Sequence, residues 1–185
     1  MSDYIPRFTS EGLRTNPHYT TRNPFYTSGF PMPNCTAYAW GRSWEISDPD
    51  NEYLNSTRPP LSTGNGQDFY PHDDDWPRGN VPALGAIACY AGGDFTGLGH
   101  VCVIEALDPE NQRCRVSESA SNGYFFRSNH WIAYNGDYGY GGYTFQGFIY
   151  NPFAGDTPVP GPGYEGFKLW KFKHLIDIKK GLTIV

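Results

Sequence analysis

Asn34-Cys35-Thr36-Ala37-Tyr38-Ala39-Trp40-Gly41-Arg42-Ser43-Trp44-Glu45-Ile46 is the stretch on which the architecture turns. Ala37, Trp40 and Trp44 recur at spacings of three and four, the period of one helix face, with Tyr38 beside them, and Asn34 ahead of them is a favoured N-cap residue. The stretch therefore predicts a helix with Cys35 in its first turn. Unsatisfied backbone N–H groups and the helix dipole at that end favour negative charge, and so favour thiolate over thiol. A cysteine at a helix start is, by itself, more often an ordinary half-buried residue than a nucleophile.

Residues 1–33 hold Pro6, Pro17, Pro24, Pro31 and Pro33 among Thr, Asn and Tyr with no sustained period, which predicts an extended arm wrapped on the domain. A polar loop from Asp48 to Pro60 follows the helix, and Leu61 to Tyr70 is expected to start a second short helix. From Val81 the texture is that of strands broken by turns: Gly85–Tyr90, His100–Ala106, Arg113–Glu118 and Tyr143–Tyr150, with Asp108-Pro109-Glu110-Asn111 as a hairpin turn. The expected class is α+β, one helix packed on an antiparallel sheet. The body runs over residues 34–152, a Pro/Gly linker over 153–163 and a basic tail over 164–185.

The 185 residues suffice for one domain with a sizeable core and not for a second full one. Lys and Arg number 14 against 19 Asp and Glu, and the net charge of −5 argues against nucleic-acid binding, which needs a basic surface. No run approaches the ~20 apolar residues of a membrane span. The opening residues Met1 to Arg7 lack the apolar core of a secretion leader, so a soluble chain without leader or membrane contact is expected. Aromatic residues make up 17% of the chain, which points to an aromatic core and an aromatic groove. Cys89, Cys102 and Cys114 lie in expected strands, where thiols behave as small buried hydrophobes, and disulfides are not expected.

His100 follows the turn Gly97-Leu98-Gly99 and opens an otherwise apolar strand, where a polar side chain needs a partner. Glu118, at the end of the next strand after a hairpin, is placed to accept one ring N–H of His100 and turn the other nitrogen toward Cys35. Each of the three signals is weak alone; together they form a triad. Asp73-Asp74-Asp75 beside His72 lacks the spacing of a calcium loop and reads as a solvated acidic loop. His18, His72 and His130 lack zinc-type neighbours, so no metal is expected. Tyr124, Phe125, Phe126 and Trp131 are candidates for a substrate groove, with core packing the competing reading.

The triad segments resemble the CHAP domain, the cysteine- and histidine-dependent amidohydrolase/peptidase family with a papain-like fold. The resemblance rests on Asn34 to Arg42, on Leu84-Gly85-Ala86-Ile87-Ala88-Cys89, on Gly99-His100-Val101-Cys102-Val103-Ile104-Glu105, on Val116-Ser117-Glu118-Ser119 and on Phe145 to Pro152, in family order. It implies hydrolysis of peptidoglycan, as an endopeptidase or an N-acetylmuramoyl-L-alanine amidase, with Cys35 as nucleophile, His100 as base and then acid, and Glu118 as orienting carboxylate. The Cys35 backbone N–H would supply one oxyanion donor, with Asn34 as candidate for a second. Tyr38, Tyr124, Phe126 and Trp131 are the candidates for substrate contact. No cofactor is implied.

Two departures stand out. Many CHAP domains carry Asn two residues after the Glu, where this chain has Ala120, so Glu118 acts alone or Asn122 substitutes. Some relatives bind calcium through aspartates upstream of the cysteine, but Gly12 to Asn34 contains no Asp or Glu, and no calcium is expected there. The resemblance is strongest to short bacteriophage lysins, which implies bacterial peptidoglycan as partner. It also implies a monomer held in the host cytoplasm until release to the wall, or carried in the virion. The alternative is a virion structural subunit contacting other virion proteins through the arm and the tail. The tail alternates basic and apolar residues over Phe167 to Ile176, as would suit anionic wall polymers or an added strand packed on the domain.

Overall fold

The computed structural model describes residues 4–52, 58–93, 96–121 and 123–155. The basic tail, most of the linker and Asn122 lie outside the described residues.

A short helix, Pro24–Thr27 (α1), precedes the main helix, Cys35–Ser47 (α2). The strands are Arg78–Gly79 (β1), Ile87–Gly92 (β2), His100–Asp108 (β3), Arg113–Glu118 (β4), Arg127–Ala133 (β5) and Tyr143–Ile149 (β6). They form one sheet of order β1-β6-β2-β3-β4-β5 in which every neighbouring pair is antiparallel. The expected α+β architecture is observed. The helix expected within Leu61–Tyr70 is a single 3-10 turn, Gly66–Asp68.

Helix α2 starts where Asn34 Oδ1 accepts the backbone N–H groups of Thr36 at 2.9 Å and Ala37 at 3.4 Å, two of the donors that a helix start leaves unpaired. It stops at Asp48, whose successor Pro49 disfavours a further helical residue. Every residue from Thr36 to Trp44 is buried. The helix is therefore covered on more than the sheet side, and residues 4–33 supply the second cover. These residues are only partly extended: they turn between residues 11 and 22, form α1, and bury Leu13, Tyr19 and Phe25 in the same core as Trp40 and Trp44. Asn23 Nδ2 bonds the carbonyls of His18 and Ala37, each at 2.9 Å, tying this segment to α2. Gly41 permits the close approach, since a Cβ there would stand 2.6 Å from the Tyr19 ring and 2.8 Å from the His18 carbonyl.

The sheet is apolar on both faces. Ile87, Cys89, Val101, Val103 and Ile149 face α2, while Ala88, Tyr90, Cys102, Ile104, Cys114, Val116, Ile132 and Phe148 form a second core behind it. Strands buried on both faces read as continuous apolar runs, which is why Ala86–Tyr90 and Val101–Ile104 show no polar alternation. All four cysteines are free thiols.

A set of polar side chains between helix and sheet is paired. Arg42 in α2 donates from Nε and Nη2 to the two oxygens of Glu105 in β3, each at 3.0 Å, and both side chains are buried. Glu105 also accepts from Tyr4 Oη at 2.5 Å, from the Arg7 N–H at 2.8 Å and from Ser117 Oγ at 2.6 Å. Tyr38 Oη in turn donates to Ser117 Oγ at 2.7 Å. None of the helices formed by the described residues is long and apolar enough to cross a membrane.

Candidate active site

The site lies where α2 begins and where β3 begins beside the end of β4. Cys35 is the first helical residue, and the preceding turn is anchored by the Asn34 N–H donating to Ser119 Oγ at 3.0 Å, just beyond β4. His100 is fixed by the glycine before it. Gly99 has φ +79°, and a Cβ there would meet the Tyr90 carbonyl at 2.2 Å and the Gln67 nitrogen at 2.4 Å, so only glycine fits. Strand alternation sends His100 and Glu118 to the same side of the sheet as Cys102, Ile104, Cys114 and Val116.

His100 Nε2 lies 2.6 Å from Glu118 Oε2. With Nε2 on Glu118, Nδ1 is the ring nitrogen left for Cys35, which lines the same cleft and whose thiol is electrostatically coupled to the imidazole. His100 and Glu118, two of the three residues expected to act together, are thus in direct contact, and Cys35 shares a cleft with His100. The Glu118 carboxylate is inaccessible to water and accepts from every direction. Oε1 takes Arg127 Nη2 at 2.6 Å, Arg127 Nε at 3.0 Å and His130 Nδ1 at 2.9 Å; Oε2 takes Tyr138 Oη at 2.5 Å as well as His100.

The electrostatics follow from this wiring. Burial pushes Glu118 up, but the hydrogen bonds from His100 and His130 and the charges of His100 and Arg127 hold it well below the usual carboxylate range. Burial also works against the imidazolium, yet the bonds to Cys35 and Glu118 raise His100 to about 9. Burial raises the Cys35 thiol, and the His100 bond and charge, with the N–H groups of Val101 and Thr36, outweigh it and leave the thiol below its ordinary value. Both shifts favour a thiolate–imidazolium pair over a thiol–imidazole pair. Cys89, Cys102 and Cys114 are the opposite case, their thiols pushed up by burial.

A cleft of about 280 Å³ opens onto Cys35 and His100, and its walls carry Tyr124, Tyr138, Tyr140 and Tyr143. Of the residues expected to contact substrate, only Tyr124 lines it. Tyr38 is a core residue, buried beneath the site and bonded to Ser117, while the half-buried Phe126 packs on Tyr38 at 5.7 Å between ring centres and lines a separate hollow with Arg14 and Phe125. Trp131 sits on the exposed face of β5 under the Arg113 guanidinium, away from the cleft. Asn34 lines the cleft, but its Oδ1 is committed to the cap and its backbone N–H to Ser119. Only Nδ2, 3.5 Å from the Phe30 carbonyl, remains as a candidate oxyanion donor from that residue. In the acidic triplet, Asp74 is buried and paired with Arg78 at 2.9 Å, an internal brace rather than a solvated loop residue.

Strand β5 and the residues it carries were not anticipated. Ser128, His130 and Ile132 point inward and Asn129 and Trp131 outward, a period of two hidden because only Ile132 is apolar among the inward set. Arg127 and His130 were recoverable by one argument: a buried carboxylate at Glu118 needs cationic or donor partners, and β5 holds the nearest.

The CHAP domain family profile matches residues 25–120, which contain Cys35, His100 and Glu118. None of the curated proteins matches this chain. Among solved structures, the crystal structure of Ly7917 is 16% identical with a TM-score of 0.43, covering 65% of this chain and 54% of that one. Ly7917 with the hydrolyzing product of MDP is 15% identical with a TM-score of 0.42, covering 65% and 55%. The chain thus spans a little over half the length of these structures.

Proposed function

The chain belongs to the CHAP domain family, and from that premise we propose that it hydrolyses an amide bond of bacterial peptidoglycan with Cys35 as nucleophile. The observation that carries this reading is the His100–Glu118 pair sharing a cleft with Cys35, whose thiol is held below its ordinary value. The thiolate attacks the carbonyl carbon and forms a C–S bond while the carbonyl π electrons move to oxygen. The Cys35 N–H, at the first helical position where no intrahelical acceptor exists, stabilises that oxyanion. His100 gives its Nδ1 proton to the amide nitrogen, the C–N bond breaks, and the amine leaves a thioester. Water then attacks the thioester, His100 takes its proton, and the thiolate departs from a carboxylic acid product. Glu118 keeps the imidazole oriented and stabilises its charge through both steps.

The finer reading is a phage lysin acting as endopeptidase or as N-acetylmuramoyl-L-alanine amidase; the ordered motif resemblance supports it. Purified Gram-positive walls are digested with wild type, Cys35→Ala and His100→Ala, and new amino termini and released muropeptides are read by mass spectrometry. Wild type is expected to free one defined terminus and both variants none. A new N-terminal alanine freed from muramic acid identifies the amidase, and a terminus within the stem or cross-bridge the endopeptidase. Undiminished digestion by Cys35→Ala overturns the nucleophile assignment.

A further inference from the structure

Glu118 Oε1 is clamped by Arg127 and His130, but Oε2, the oxygen that faces His100, has no cation of its own beyond the imidazole. Its second partner is Tyr138 Oη at 2.5 Å, and the same hydroxyl is 3.2 Å from His100 Nε2. A phenol has one proton to donate, and the shorter contact assigns it to the carboxylate. The ring that carries this hydroxyl is held on every side: edge-on to His130 at 4.5 Å, to Tyr143 at 5.1 Å, and to Tyr90 and His100 at 5.2 Å each. Tyr138 is 4% exposed, lies against the cleft and covers a carboxylate that is 0% exposed.

We propose that Tyr138 is a positioning residue of this site: its hydroxyl shares Glu118 Oε2 with His100 Nε2, fixing the carboxylate so that the imidazole keeps Nδ1 turned toward Cys35. The proposal rests on the Cys35–His100 pairing of the preceding section and adds the element that sets its geometry and strength. By occupying part of Oε2, the phenol also limits how strongly the carboxylate draws on the imidazolium proton. Tyr138 does not touch the reacting atoms. It acts through Glu118, and that route is what distinguishes it from a packing residue.

The test is the pH profile of Cys35 alkylation by iodoacetamide, which needs no wall substrate. The other three cysteines are buried, so Cys35 carries the reaction. A thiolate–imidazolium pair gives two inflections, the upper one set by loss of the imidazolium proton. Tyr138→Phe keeps the ring and its contacts and removes one oxygen. In that variant Oε2 serves His100 alone, and the upper inflection is expected to rise by several tenths of a pH unit. In a Glu118→Gln background, the same substitution is expected to move nothing further. An unchanged inflection in Tyr138→Phe overturns the proposal, as does an equal shift in the Glu118→Gln background. A wild type with one ordinary thiol inflection overturns it together with the Cys35–His100 pairing. Walls left undigested while the alkylation shifts hold would overturn only the substrate reading.

Discussion

Cys35 is governed by two opposing influences, burial pushing its thiol up and His100 drawing it down, with the second prevailing. The proposed reaction needs the thiolate to attack and the imidazolium to protonate the leaving amine, so its rate would depend on both ends of this pair. His100 is raised to about 9, and above that pH the general acid is lost. We expect kcat/KM to fall on the alkaline side with a midpoint near the value set for His100, and to persist on the acid side below the ordinary thiol range. A profile that rises toward pH 10 as free thiolate accumulates would contradict this. Glu118→Gln removes the anion that stabilises the imidazolium and presents an amide N–H₂ to donors. The alkaline limb should move down toward the ordinary histidine value of about 6.5, and activity should fall on the order of a hundredfold or more. The measurement is steady-state hydrolysis across pH, and an unmoved limb would exclude Glu118 as the orienting group.

At the level of elements, the start of α2 combines a stability function and a chemical one. Asn34 Oδ1 accepts from Thr36 and Ala37, so Asn34→Ala should lower stability by about 1 kcal/mol, read as a lower urea midpoint. Asn34→Asp separates the two functions. The carboxylate still caps and interacts favourably with the helix dipole, so stability should hold, but its charge beside Cys35 should raise the thiol and slow alkylation at neutral pH. Parallel loss of stability and reactivity in both variants would show the cap to be only structural. This helix was legible in the sequence because its cap, its apolar spacing and its cysteine all fell within thirteen residues. Strands β2 and β3 were legible as apolar runs, β4 and β6 as short mixed strands set off by turns, and His100 and Glu118 as polar residues at the strand ends. Strand β5 was not, because its inward face is Ser128, His130 and Ile132, and Arg127, His130 and Tyr138 become a site only by converging on Glu118. Tyr38 and Phe126 misled for a related reason: an aromatic side chain looks the same in a core and in a groove, and only packing separates them.

Across the whole molecule, the N-terminal residues, α2 and the sheet share one buried polar network. Tyr4 and Arg7 reach Glu105, Arg42 bridges Glu105 and Glu45, and Ser117 links Glu105 to the strand that ends in Glu118. Glu105→Gln takes away the bidentate anion of the buried Arg42 guanidinium and leaves it Glu45 alone, which should cost about 3 kcal/mol, a large fraction of a typical domain's stability. The network also sets how stability varies with pH. Glu118 is held well below the usual carboxylate range by His100, His130 and Arg127 against the opposing effect of burial. Glu45, likewise raised by burial, is brought below its ordinary value by the Arg7 bond and the charge of Arg42. A carboxylate whose folded pKa is depressed contributes stability above its unfolded pKa, about 4.3 for Glu, and loses it as pH falls through the folded value. His100 has the opposite sign: its contribution is complete below about 6.5 and is lost as pH rises through about 9. The depressed Cys35 thiol gains as pH rises, so on the alkaline side the two members of the pair offset each other. Urea midpoints measured against pH should therefore fall steeply below about pH 4 and change little between about pH 6.5 and 8.5. Glu118→Gln should flatten the acid limb, because a buried carboxylate held well below the usual range is gone. An acid limb as steep in that variant as in wild type would mean that the carboxylate in the active site does not help to hold the fold together.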